Sequence, residues 1–536
     1  MWSLQSNIIE PYEVLRQSLK PLRLSRWQMI KFFVKSLLGE IPPGALVLLA
    51  VTCSILVLYF STREKQPVMP RELPVVKAKS YHFEDIIVEG RKKYPDRPYL
   101  AVNKRHSFVV YPPSCFDELK RLPEHTASAK DFFHTMNAGD WTYVGHETLP
   151  LLKTIIADLT RVIPARVNKR QEDARMAFES IIGYAPEWKE IGLLMTTFEI
   201  VAKINACAFV GRDLGTNNKW VKAVMQSPLV IHVAVLVMNA CPSLLRPLLA
   251  PLAFLPTKMN QWDMGRLLTP MLHKDIATFK EAKDRSELLR PKEDGEIPLT
   301  AMLLSRYKQG EATIRQLIVD YILVSFDSTP STASALYHVI CELAAHPEAA
   351  DILRHELEEV MVDGKLPQTH LQELKRMDSF LRESFRLHPV SLSFSPKSVS
   401  LQRVLAKPVK LSVGPTIPAG AIIAVDAAAI NRSPDIWENP DEFDMDRFYK
   451  LRQVPGNENK YHLLNTSSDS PGWGDGTQAC PGRFFANSTL KIAFAYILQN
   501  YDVKRKEGHP SPKMTPLANG TWAPDDKAVA MFKSRK

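Results

Sequence analysis

Along most of the chain apolar residues recur at helical spacing, but two stretches are apolar for longer than a single buried face requires. Between Glu40 and Arg63 lie 22 residues without a charge, and ALVLLAVTCSILVLYF (Ala45 to Phe60) is almost wholly apolar. At about 1.5 Å per residue, a helix over this gap spans the roughly 30 Å hydrocarbon core of a bilayer. A buried core helix is the competing reading. The membrane span is preferred because nothing else in the chain is as apolar and uninterrupted. A cleaved signal peptide fits poorly, since about 40 residues precede the run.

The flanks of this run agree with an anchor. RWQMIKFFVKSLL (Arg26 to Leu38) sets Lys31 and Lys35 on a different face from its apolar residues, as an interfacial helix does. TREKQPVMPRELP then packs three prolines into a short, extended spacer. The expected organisation is a tail over 1–40, an anchor over 41–62, a linker over 63–75 and a folded body over 76–536. Six Lys or Arg precede the span and five follow it within 61–80, so charge alone does not orient it.

The second stretch runs from Glu311 to Leu343. LIVDYILVSF (Leu317 to Phe326) is apolar nearly all round, as in a helix buried on every side. DSTPSTAS (Asp327 to Ser334) then places polar side chains where they cost free energy unless they find partners or line a cavity. Pro330 removes the helical donor to the Phe326 carbonyl, at about 3 kcal/mol. Either the helix ends at Ser325, or one helix continues, kinked beside a ligand. The resumed spacing of Leu336, Val339, Ile340 and Leu343 favours one kinked helix.

Helical periodicity also marks HETLPLLKTIIADLTRVI and HPEAADILRHELEEVM, whereas Val409 to Ile430 alternates between turn residues like short strands. The expected fold class is mainly α with small β-sheets. The 536 residues are 45% hydrophobic and 24% charged, values of a folded globular chain. Six cysteines lie far apart, without the spacing of a zinc site or a disulfide framework, and suit a reducing compartment. A net charge of +10 comes without any run of five basic residues, which leaves nucleic-acid binding unsupported.

Two constellations carry chemistry. In MDSFLRESFRLHP (Met377 to Pro389), Glu383 and Arg386 share a helical face among apolar neighbours, so partial burial would demand a further partner, for which Arg447 is a candidate. In PGWGDGTQACPGRFFA (Pro471 to Ala486), Pro481 is placed to be the first helical residue, which sets Cys480 at a helix N-terminus where backbone N–H groups favour a thiolate. Gly474, Gly476 and Gly482 leave room for a flat ligand. Such a thiolate suits an axial haem ligand, and an inert buried cysteine is the alternative.

Taken together, these residues resemble the cytochrome P-450 superfamily over nearly everything after the anchor. Its haem-loop pattern F-x-x-G-x-x-x-C-x-G is matched by Trp473, Gly476, Cys480 and Gly482, with Trp for Phe. Its E-x-x-R pair falls on Glu383 and Arg386, and NPDEFDMDRF supplies Arg447 as the third member of the charge network. MDSFLRES, ELAAHPE and CPGRFFA look most like fungal members acting on secondary metabolites.

The resemblance implies haem b (heme) held by Cys480 as the metal ligand. It also implies electrons from NADPH through a cytochrome P-450 reductase, and insertion of one oxygen atom into an apolar small molecule, terpenoid or polyketide-derived. It places the enzyme as a single-pass protein of the endoplasmic reticulum membrane with a cytosolic catalytic domain. Gln478 stands where many members carry Arg or His toward a haem propionate. Ser331 and Thr332 take the positions of the usual catalytic alcohols, and Pro330 replaces the usual acid. That replacement leaves two further readings open, a reductase-independent isomerase or dehydratase and a non-catalytic membrane-bound scaffold.

Overall fold

The computed structural model describes residues 67–77, 83–102, 106–242, 245–282, 289, 297–308, 312–367, 370–389, 399–509, 512, 515–516 and 522–535. The expected tail and anchor lie outside the described residues. Residues 65–241 and 248–536 form one compact unit, and every element below lies within it.

Its elements, in chain order and restricted to those used below, begin with β1 (Val75–Lys77), α1 (Phe83–Lys93), β2 (Tyr99–Val102), β3 (Ser107–Tyr111), β4 (Ala127–Ser128) and α2 (Ala129–Met136). Next come α3 (Thr160–Ile181), β5 (Lys189–Gly192), α4 (Leu193–Gly215), α5 (Asn218–Ala240), α6 (Leu255–Glu281), α7 (Ile314–Ala345) and α8 (Glu348–Val360). The chain continues through α9 (Lys375–Leu387), β6 (Val399–Leu405), β7 (Ile422–Asp426), α10 (Arg447–Arg452), α11 (Arg483–Asn500), β8 (Tyr501–Arg505) and β9 (Val529–Ser534).

The helices pack around α7. One face of its second half (Leu336, Ile340, Leu343) meets Leu490, Phe494 and Leu498 of α11 and Phe380 and Leu381 of α9 in a single apolar cluster. Burying each such side chain stabilises the fold by about 1.5–3 kcal/mol. Both α4 and α5 are long and apolar enough to cross a membrane. In α4, Ile200, Val201 and Ile204 are instead fully buried in that same cluster.

The larger sheet has the order β1-β2-β3-β7-β6-β4. A hairpin pairs β2 with β3 (Tyr99 opposite Val110), and β3 runs parallel to β7 with Phe108 opposite Ile422. Val409 to Ile430 therefore contributes one sheet strand, β7, and only an isolated bridge between Val409 and Ile417. Strands β1–β3 and β6 are additions to the sequence reading. A smaller antiparallel sheet has the order β5-β9-β8, with the C-terminal strand in the middle.

One open alternative is decided and one expectation changes. The stretch around Pro330 is one uninterrupted helix, which decides between the two readings of DSTPSTAS. Side chains cover its carbonyls: Asn205 Nδ2 donates to the Ser328 carbonyl (3.2 Å) and Ser331 Oγ to that of Asp327 (3.1 Å). The helix after Cys480 begins at Arg483 with Gly482 as its N-cap, so Pro481 belongs to the preceding turn and is not the first helical residue.

Candidate functional site

The Cys480 loop is tied at both ends. Cys480 N donates to the Trp473 carbonyl (2.8 Å), closing the loop on itself. Trp473 Nε1 donates to the Leu463 carbonyl (2.7 Å) and its indole packs on Phe385 of α9 at 5.3 Å. Gly476 is required twice over: its φ is +70°, and a Cβ there would lie 2.7 Å from the Lys120 carbonyl oxygen. Between these glycines, Asp475 bonds Lys120 Nζ (3.0 Å) and accepts from Gly476 N (2.7 Å). Burial alone would raise its pKa, but these partners outweigh it and hold the carboxyl below the ordinary range.

Electrostatically the loop departs from expectation. Burial pushes the Cys480 thiol up to about 11, against the amides of Gly482 and Arg483, which pull it down, and with the Asp327 carboxylate pushing it further up. Helix-start amides alone therefore do not keep this sulfur ionised. A bound metal cation does, because coordination deprotonates a thiol outright.

Gln478 is not free to reach a ligand. Its Oε1 accepts from Ala129 N (2.8 Å), and Nε2 donates to the carbonyls of Ala127 (2.9 Å) and Leu122 (3.4 Å). It braces the loop against β4 and the start of α2.

An arginine absent from the sequence reading has the opposite character. Arg403 of β6 is 1% exposed, and its Nε and Nη1 have no hydrogen-bond partner among the described residues. Burial pushes its guanidinium pKa down to about 10, offset only by distant Glu124. The strand carrying it runs beside the cysteine loop: Ser400 Oγ donates to the Pro471 carbonyl (2.7 Å). Between Ser400 and Arg403 the register slips, with Leu401 at φ +52°, so a bulge re-aims the strand next to the site.

The opposite wall is α7. From Tyr321 to Ile340 only Asp327, Ser328, Pro330, Ser331 and Ser334 are even partly exposed. Asp327, Ser331 and Ser334 follow one face, so the polar residues of this otherwise buried helix share its one partly exposed side. Of the two expected alcohols only Ser331 is on that face; Thr332 is 3% exposed and turned into the core. Burial, with a smaller contribution from Glu147, raises the Asp327 carboxyl well above the usual carboxylate range.

The expected charge network is present in full. Glu383 is completely buried and accepts from Arg386 Nε and Nη2 (both 2.8 Å), from Arg447 Nε (2.9 Å) and from Asp444 N (3.1 Å). Arg386 also donates to the carbonyls of Asn431 (2.7 Å) and Glu442 (3.2 Å), so the network fastens α9 to the chain that leads on to the cysteine. A second buried network lies alongside it, unread in the sequence. Asp378 meets Lys491 Nζ of α11 (2.6 Å), Arg452 Nη1 of α10 (3.3 Å) and Leu463 N (2.9 Å). Burial opposes its charge, and the two cations more than compensate, lowering its pKa.

A lone cysteine on a glycine-bearing loop, facing the polar side of a long buried helix, matches known proteins over most of the chain. The model of the family described as Cytochrome P450 matches residues 237–528. This chain belongs to the cytochrome P450 family. Cytochrome P450 monooxygenase ccsD of Aspergillus clavatus is 90% identical over 499 residues, covering 93% of this chain and all of that protein. Pyrichalasin C-18 hydroxylase of Pyricularia grisea is 54% identical over 537 residues, 99% of each chain. Among solved structures, a retinoic-acid-bound cyanobacterial CYP120A1 superposes with a TM-score of 0.64 at 14% identity, over 88% of this chain and all of that one, which shows the shared fold.

The enzyme is therefore a P450 monooxygenase, a family that takes electrons from a redox partner, acts on small molecules and binds haem through a cysteine thiolate. The residues present fit that group. Arg403 offers two buried, unpartnered N–H groups suited to a carboxylate. A Cβ at Gly482 would meet no protein atom within 4 Å, as expected beside a flat ligand.

Proposed function

We propose that this P450 hydroxylates a carbon of an apolar fungal secondary metabolite of the pyrichalasin kind. The observation that carries this reading is the 54% identity, over 99% of each chain, to a protein named for hydroxylating C-18 of pyrichalasin. Bound haem supplies activation of dioxygen for insertion of one oxygen atom into the substrate. The chain's own residues seat and orient. Cys480 would hold the metal from the loop closed by its bond to Trp473, and Arg403 would receive a carboxylate of the group. Asp327 and Ser331 present exchangeable protons to the substrate side of α7, in place of the acid that Pro330 replaces.

The reductase that uses NADPH is the proposed electron source, and the endoplasmic reticulum membrane the proposed location, with 41–62 as the anchor. Exposed Leu229, Val233 and Val237 of α5, next in sequence to exposed Leu252, Leu255, Met259 and Trp262, support a body lying against lipid.

The test is conversion of a deoxy-pyrichalasin substrate by microsomes carrying the enzyme and its reductase. A product with one added oxygen, formed only with NADPH and dioxygen and absent for Cys480→Ala, is expected. Turnover without NADPH would replace this reading with isomerisation. Turnover of a terpenoid but not of the pyrichalasin skeleton would overturn the substrate class.

A further inference from the structure

We propose that His134 of α2, with Asp140 and His146 from the segment that follows it, forms a binding site for a borderline divalent cation, best matched by Zn²⁺. One ligand atom from each of the three lies within 4.8 Å of the other two. His134 Nε2 is already 3.3 Å from Asp140 Oδ1, and the two imidazole rings are 5.0 Å apart. Tetrahedral zinc with bonds of about 2.0–2.1 Å sets its ligands roughly 3.3–3.4 Å from one another. The first pair meets that spacing, and the wider separation closes by rotation of exposed His146.

The backbone is folded closely around His134. A Cβ at Gly139 would stand 2.1 Å from His134 Cδ2, and one at Gly145 would stand 2.6 Å from His134 Cβ, so both glycines let the chain close over this one imidazole. Ala138 and Tyr143, neither of them glycine, are in the left-handed region at φ +52° and +72°. Such strain persists where surrounding structure over-determines it, and it clusters at ligand clamps. Here Thr142 Oγ1 donates to the Asn137 carbonyl (2.9 Å), Gln261 Nε2 of α6 donates to the Thr142 carbonyl (3.1 Å), and Trp141 stacks on Phe254 at 5.4 Å. The ion pair of His134 with a largely exposed Asp140 returns little for that strain.

Two imidazoles and one carboxylate select zinc, copper or nickel over calcium and magnesium, which require oxygen ligands alone. A water would complete the set; one oxygen of the neighbouring Glu147 carboxylate accepts from Gly145 N at 2.9 Å. The clip would fix the segment that passes from this cluster to α7. Val144 packs with Phe326, the residue before Asp327, and Thr148 Oγ1 donates to Asp320 at 3.2 Å.

The experiment is calorimetric titration of ZnCl₂ into the full-length, haem-loaded protein with any affinity tag removed. One saturable equivalent is expected, weakened at least about tenfold in His146→Ala and in Asp140→Asn, each retaining the wild-type reduced carbon monoxide spectrum. Zn²⁺, and not Mg²⁺, is also expected to slow thermal inactivation of the wild type alone. No saturable binding by the wild type would overturn the proposal, as would an affinity unchanged in the His146→Ala/Asp140→Asn double variant.

Discussion

Replacing Glu383 by Gln tests whether the buried charge network holds the enzyme together. The wild-type carboxylate accepts four hydrogen bonds, three of them from the two guanidiniums. In the best orientation the Gln oxygen keeps the bonds from Arg386 Nη2, Arg447 Nε and Asp444 N, and its amide nitrogen then meets Arg386 Nε donor to donor. Two arginines, 5% and 8% exposed, are left without an anion. Removing one partner of a buried ion pair costs about 3–5 kcal/mol, against a total domain stability of about 5–15 kcal/mol. At about 1.4 kcal/mol per decade the lower figure alone raises the unfolded fraction more than a hundredfold. Expression at one temperature, followed by haem content per purified polypeptide and the half-life of the reduced carbon monoxide spectrum, reads the effect. Glu383→Gln is expected to lose more than nine-tenths of its haem-loaded yield, as an order-of-magnitude expectation, and Glu383→Asp to fall between it and the wild type. Glu89→Gln, which breaks an exposed pair with Lys93, is the control and changes nothing measurable. Wild-type haem content and half-life in Glu383→Gln would refute the reasoning.

Other predictions separate the parts of the site. Gly476→Ala forces a Cβ against the Lys120 carbonyl at positive φ and is expected to lower the yield of folded protein, measured by solubility and circular dichroism. A Cβ at Gly482 meets no protein atom within 4 Å, so Gly482→Ala should keep that yield while lowering haem content. Arg403→Leu is expected to speed haem transfer to apomyoglobin by about tenfold or more through loss of a charge-assisted contact, with Arg403→Lys intermediate. Asp320, fully buried and bonded by Tyr307 Oη at 2.6 Å, has its pKa raised by burial despite that bond. Its unfolded form loses the proton near pH 3.9 while the folded form still holds it, so stability falls as pH rises from there to the raised folded value. Asp320→Asn should flatten that part of the thermal stability profile and leave the protein no less stable at pH 8.

What was legible beforehand followed sequence distance. Glu383 and Arg386 are one turn apart, so their shared face is written in the local spacing, and the buried run Leu317 to Phe326 declares its helix in the same way. Family motifs extended the reading to Arg447 and Cys480. Arg403, Lys491 and Arg452 had no such signal, because each acquires its meaning from a partner brought close only by the fold. Arg170 shows the same limit: its Nη2 donates to Thr489 Oγ1 of α11 at 2.5 Å, and burial pushes its guanidinium down to about 9, yet its surroundings in the sequence look like an ordinary charged helix face. That one helix runs through Pro330 was favoured by the local spacing, but the bond from Asn205 to the Ser328 carbonyl beside it was not legible, because Asn205 lies on a different helix.

The placement of β9 bears on how the chain is made. Its partner β5 is synthesised some 340 residues earlier, and β8 about 25 residues earlier, yet neither touches the other except through β9. While the protein is still being translated, β5 has no partner in this sheet and exposes bare edges on both sides. The sheet closes only once β9 has been made and can pair with both strands. Then Ser534 bonds Ala185 and Arg535 bonds Asn500. Interrupting the chain before Val529 would therefore leave β5 and β8 as two orphan strands on an otherwise folded body.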